Sequence, residues 1–120
     1  MKENIIEVKS FLFAKKIVTA YLSLKEAKHF ELARQLMRSC TSIGANVAEG
    51  IHAQSANDFI HKLSISQKET GETMFWIKLL RETHILDEEL CEELVADCKE
   101  IQKILTAILK TSKNRQSSAH

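Results

Sequence analysis

Phe59, Leu63, Ser66, Thr70, Thr73, Ile77 and Leu80 follow one another in steps of 4-3-4-3-4-3. That is a heptad seam, and it describes a helix laid along another helix. The spacing predicts a helix from about Ala56 to Thr83, opened by Ser55 and Asp58 as a variant capping box. The middle of the seam is hydroxylic. Serine and threonine are buried there without charge when their hydroxyls bond back to the preceding turn. Nothing in the chain breaks such rods, since 120 residues include no proline and only three glycines. Sandwiches and barrels need many tight turns, so a few long helices are favoured.

The other segments follow the same period. A helix over about Ile5 to Lys25 carries the stripe Phe11, Ala14, Val18 and Tyr21, widened by Ile17 and Leu24. A second, within Leu32 to Ser55, carries Leu32, Leu36, Cys40, Ile43, Val47 and Ile51. It is rich in small residues, and Gly44 costs about 1 kcal/mol of helix propensity relative to alanine. That predicts close packing or a kink at Gly44, while Gly50 is expected to end the helix in a left-handed conformation. The connection near Glu26 to Phe30 has neither Gly nor Pro, which leaves its boundary undefined. A fourth helix, about Glu88 to Thr111, starts at the N-cap Asp87 and buries Leu90, Cys91, Leu94, Cys98, Ile101, Leu105 and Ile108. Its acids come first and its lysines last, which complements the helix dipole. The reading is all-α, an antiparallel four-helix bundle over residues 1–111, with 112–120 a frayed or disordered tail.

Composition removes several functions. The net charge of +1 gives no global field for nucleic acid, and no apolar run approaches the roughly 20 residues of a membrane span. The N-terminal MKENIIEVKSFLF has acids inside its apolar segment and does not read as a signal peptide. Three cysteines, an odd count, point to a reducing cytoplasm.

Little in the chain is grouped for chemistry. Two Glu-x-x-His matches, Glu26–His29 and Glu49–His52, sit at opposite ends of one helix, on the order of 30 Å apart, too far to share a di-metal centre. Glu49, His52, Asp58 and His61 cluster around one turn, a pattern that suits capping and solvent better than metal. Cys91 and Cys98 stand about 10 Å apart on one helix, beyond disulfide reach. No local Cys/His pair, phosphate loop or nucleophile elbow is visible. The expectation is no enzyme, no cofactor, no metal and no small-molecule substrate.

Two surface features remain. Met74, Phe75, Trp76, Leu79 and Leu80 go round the helix on every side, so something must cover that end. They are the candidate oligomer interface. Lys15, Lys16, Arg34 and Arg38 are the candidate nucleic-acid contacts, read chiefly as solvated or interface cations.

At Ser42-Ile43-Gly44-Ala45-Asn46-Val47-Ala48-Glu49-Gly50, preceded by Gln35-Leu36-Met37-Arg38-Ser39, the chain resembles a bacterial family. Its members were first noticed as open reading frames in intervening sequences of 23S ribosomal RNA genes. Phe59-Ile60 and Phe75-Trp76-Ile77 add to the likeness, which covers about residues 10 to 110. The family pattern has proline where Gly44 stands, and basic residues often follow near Gln54. The resemblance implies an up-down-up-down bundle, a ring-like homopentamer, no established catalytic residues and an RNA-related role drawn from genomic context. Asn46, Glu49 and Gly50 are read as structural, serving backbone groups around the turn. The expected role is a cytoplasmic, self-associating interaction or scaffolding module. Structured-RNA binding is the alternative, and a metal-binding bundle a further one.

Overall fold

The computed structural model describes residues 4–118, in which α1 (Ile5–Glu26), α2 (Phe30–Ile51), α3 (Ala56–Glu82) and α4 (Glu88–Ser118) are the elements. Each start has the cap its sequence offers. Asn4 accepts from the Glu7 N–H at 3.2 Å, Ser55 from Asp58 at 3.0 Å and Asp87 from Leu90 at 3.0 Å. His29, before α2, makes no such bond.

Paired residues fix the directions. Lys9 meets Glu100 and Lys16 meets Glu93, so numbering rises on α1 as it falls on α4. Arg38 meets Glu72 and Glu49 meets Lys62 between α2 and α3. Gln67 meets Thr106 between α3 and α4. With Ser10 beside Gly44 between α1 and α2, every neighbouring pair is antiparallel. Among the described residues α1 packs on α2 and α4, and α3 packs on the same two, so α1 and α3 stand on a diagonal. The result is an up-down-up-down bundle, 53 Å in its longest extent.

The seam of α3 is buried as its spacing demands, from Leu63 to Leu80, with Phe59 half-buried at its start. Its hydroxyls are satisfied. Thr70 donates to the Ser66 carbonyl at 2.8 Å, and Ser66 donates across to the carbonyl of Ile43. The single Thr73 proton serves either the Glu69 carbonyl at 2.8 Å or Ser39 Oγ at 2.9 Å.

Helix α1 turns inward one edge of the expected stripe: Ile17 and Leu24 are core and Ala14 and Tyr21 are half-buried against it, but Phe11 and Val18 are not. Ile6, Phe13, Ile17, Ala20 and Leu24 are its core side, while Phe11 is 66 % and Val18 41 % exposed. Apolar residues lie on several sides of α1, and the face that fits between α2 and α4 is the buried one.

The glycines also exchange roles. Gly50 lies inside α2 with no positive φ, so it does not end the helix. It is required for space: a Cβ there would strike Leu63 Cδ2 and lie 3.3 Å from Lys62 Cβ. A Cβ on Gly44 would meet Ser10 Oγ only at 3.9 Å, an ordinary contact, and α2 runs helical through that position.

Two turns are closed without glycine. Lys28 (φ 67°) and His84 (φ 59°) take the left-handed conformation. His29 N–H reaches the Leu24 carbonyl at 2.9 Å and Ile85 N–H the Leu80 carbonyl at 3.1 Å, the six-to-one bond of a Schellman end. The expected frayed tail is helical as far as Ser118, and Gln116 bonds Asn57 at the start of α3. The expectation for residues 1–3 and 119–120 lies outside the described residues.

Candidate functional site

The aromatic end of α3 divides into three environments. Leu80 is 1 % exposed and belongs to the core, so it drops out of the candidate interface. Met74 and Trp76 are half-buried against the core, and the Trp76 indole N–H donates to Glu72 at 3.0 Å. Phe75, 58 % exposed, and Leu79, 36 % exposed, point outward one turn apart. The Phe75 and Trp76 rings meet edge to face, 5.2 Å between centroids.

A second apolar face was not read from the sequence. Phe11, Val18 and Leu22 on α1 are spaced 7 and 4 residues apart and are all exposed. The signal was present as one apolar stripe too many on α1. α1 and α3 are diagonal, so the two faces belong to helices that do not pack on one another.

The four candidate basic residues are not brought together. Lys16 joins α1 to α4 through Glu93 at 2.7 Å and Asp97 at 2.8 Å. The bonds to Asp97 first and Glu93 second hold its ammonium above the usual lysine range. Arg38 joins α2 to α3 through Glu72 and, at 3.3 Å, Glu69. The Trp76 N–H, then the Arg38 guanidinium, hold the Glu72 carboxyl below its ordinary value. Arg34 pairs with Glu31 on its own helix. Lys15 alone has no carboxylate partner among the described residues, and lies at the α1–α4 groove.

The motif residues do local work. Asn46 donates to the Ser42 carbonyl at 2.8 Å, one turn back, and Glu49 holds Lys62 at 3.0 Å. With Glu49 engaged, the turn around His52 and Asp58 is a shallow polar pocket, and among the described residues no three metal-ligating side chains are grouped. Cys40, Cys91 and Cys98 are buried free thiols, and burial pushes Cys40 and Cys98 up to about 12. No described helix is long and apolar enough to cross a membrane.

These features define an antiparallel four-helix bundle whose unusual chemistry is on its outside, as apolar faces on diagonal helices. The chain belongs to the 23S rRNA-intervening sequence protein family, which it matches over residues 2–107. It is also similar to a crystal structure from Bacteroides thetaiotaomicron VPI-5482, a protein of unknown function from the S23 ribosomal protein family. The two share 44 % identity over 88 % of this chain and 98 % of that one, with a TM-score of 0.85. No curated protein matches the chain.

Proposed function

We propose that the protein is a non-enzymatic, cytoplasmic interaction module built by self-association, in which the α1 face of one copy packs on the α3 face of the next. The observation that carries this is the exposure of Phe11 (66 %) and Phe75 (58 %) on two diagonal helices of one protomer. Unlike faces that join head to tail close into a ring when the rotation permits. The family resemblance suggests five copies. The three unoxidised thiols suit a reducing compartment.

Native mass spectrometry and sedimentation velocity at micromolar concentration test the reading. The wild-type chain should be one defined oligomer, and Phe11→Ser and Phe75→Ser should each be folded monomers. Mixing the two variants should give a one-to-one dimer, because each keeps the face that the other lacks. A monomeric wild type would end the proposal, and variants that fail to complement would end its head-to-tail form.

RNA binding through Lys15, Lys16, Arg34 and Arg38 is the weaker reading. Three of the four are already held by carboxylates, and phosphate would have to displace them.

A further inference from the structure

We propose that the groove between α3 and α4 is a docking site for an acidic amphipathic helix of another protein. The groove holds about 670 Å³. Gly71, Met74 and Ala107 form its floor, and Lys99, Lys103 and Lys110 lie along its α4 side.

Three observations meet here. The first is Gly71, which the fold itself does not require. It sits inside α3 with ordinary φ, and a Cβ there would meet only Gln102 Nε2, at 4.0 Å. A mid-helix glycine is unfavourable, and what it provides at this point is depth. The second is charge. Lys99, Lys103 and Lys110 span about 16 Å of helix. None of them has a carboxylate within 4.0 Å among the described residues. On the other flank of α4, Lys9 and Lys16 of α1 are matched by Glu100, Glu93 and Asp97. The third is Gln102, whose Oε1 is buried in the groove wall with no donor. Turning the Gln102 amide toward the groove would present that acceptor to a hydroxyl or amide of an occupant.

An apolar floor beside a row of free ammonium groups fits a helix with apolar knobs and acidic flanks. A nucleic acid would gain from the lysines, but it would find no aromatic ring here on which to stack a base. A second copy of this chain fits poorly as well. Its acidic run, on α4, turns Cys91, Leu94 and Cys98 into its own core, and its exposed α1 face is bordered by Lys15. The groove is formed within one protomer, but its α3 wall adjoins the Phe75 face, so binding is read on the monomeric Phe11→Ser variant as well as on the wild type.

The probe is a fluorescein-labelled synthetic helix of about 15 residues, with leucines at helical spacing and glutamates on both flanks. Its lysine-flanked counterpart and a polyuridylate strand are the controls. Anisotropy should show saturable binding of the acidic peptide alone, weakening as salt rises. Combining Lys99→Glu, Lys103→Glu and Lys110→Glu should raise Kd at least about tenfold. Gly71→Leu, which fills the groove with a better helix former, should do the same while circular dichroism stays helical. The proposal is overturned if the acidic peptide does not bind by about 1 mM, if it binds Gly71→Leu unchanged, or if polyuridylate takes the site in its place.

Discussion

The α2–α3 pair and the α1–α4 pair are both antiparallel, but different chemistry holds each together. Between α2 and α3 the rim pairs of Arg38 and Lys62 are backed by contacts inside: Ser66 on the Ile43 carbonyl, Thr73 against Ser39, and Leu63 in the space left by Gly50. Between α1 and α4 the specific bonds lie at the rim, from Lys9 and Lys16 to three carboxylates. Interior hydrogen bonds and close packing demand one geometry, whereas rim ion pairs tolerate several and are screened by salt. The α2–α3 hairpin is therefore the rigid half of the bundle, and the α1–α4 seam the adjustable one.

The strongest test of the contrast removes the packing. Leu63→Ala should cost about 2–5 kcal/mol in urea denaturation. Adding Gly50→Ala to it should cost less than Gly50→Ala costs alone, because the new methyl enters space that Leu63 has left. Additive losses would show that the two side chains are not competing for one volume. Next in size, Thr73→Val should cost about 1–2 kcal/mol and be insensitive to salt, since it withdraws a buried hydroxyl from the Ser39 and Glu69 contacts.

On the adjustable side, Lys16→Met should cost only about 0.2–1 kcal/mol, because that side chain is 40 % exposed. The loss should shrink in high salt, and a cost above that of Thr73→Val would reverse the ranking of the two seams. The smallest effect is acid sensitivity. The Glu72 carboxyl is held below its ordinary 4.5 by Trp76 and Arg38, so its contribution is complete above that pH and is lost as pH falls through the depressed value. Since Glu72 is 37 % exposed, screening limits this to a few tenths of a kcal/mol, about the least a comparison of Glu72→Gln with wild type at pH 3 and 7 resolves.

The same contrast explains what could be read in advance. The α3 seam was legible because its heptad runs unbroken through three hydroxyls, Ser66, Thr70 and Thr73, and so marks one buried face. Helix α1 was legible only at Ile17 and Leu24, because Phe11, Val18 and Leu22 compete with Ile6, Phe13 and Ala20 for the inner side, and only the packed neighbours decide. The turns at Lys28 and His84 gave no glycine signal, since each places a long side chain in a conformation that glycine usually takes. The family motif marked α2 correctly, but Gly50 acts through volume and Asn46 through a bond one turn back. Charges were visible and their partners were not. Nothing local says that Lys16 and Arg38 are spoken for while Lys99, Lys103 and Lys110 are free.

The bond from Ser66 to the Ile43 carbonyl has a mechanical consequence. If α3 slid along α2 by one turn, about 5.4 Å, the Ser66 hydroxyl would lose its mate in a dry interior, while Thr73 and Ser39 would keep the Glu69 and Leu36 carbonyls of their own helices. That orphan would cost about 1–3 kcal/mol. The two rods are thus latched against piston motion, like a key cut to one depth. Any shape change the molecule undergoes when partners arrive must be a tilt or splay of α1 and α4 around an α2–α3 spine that does not shift.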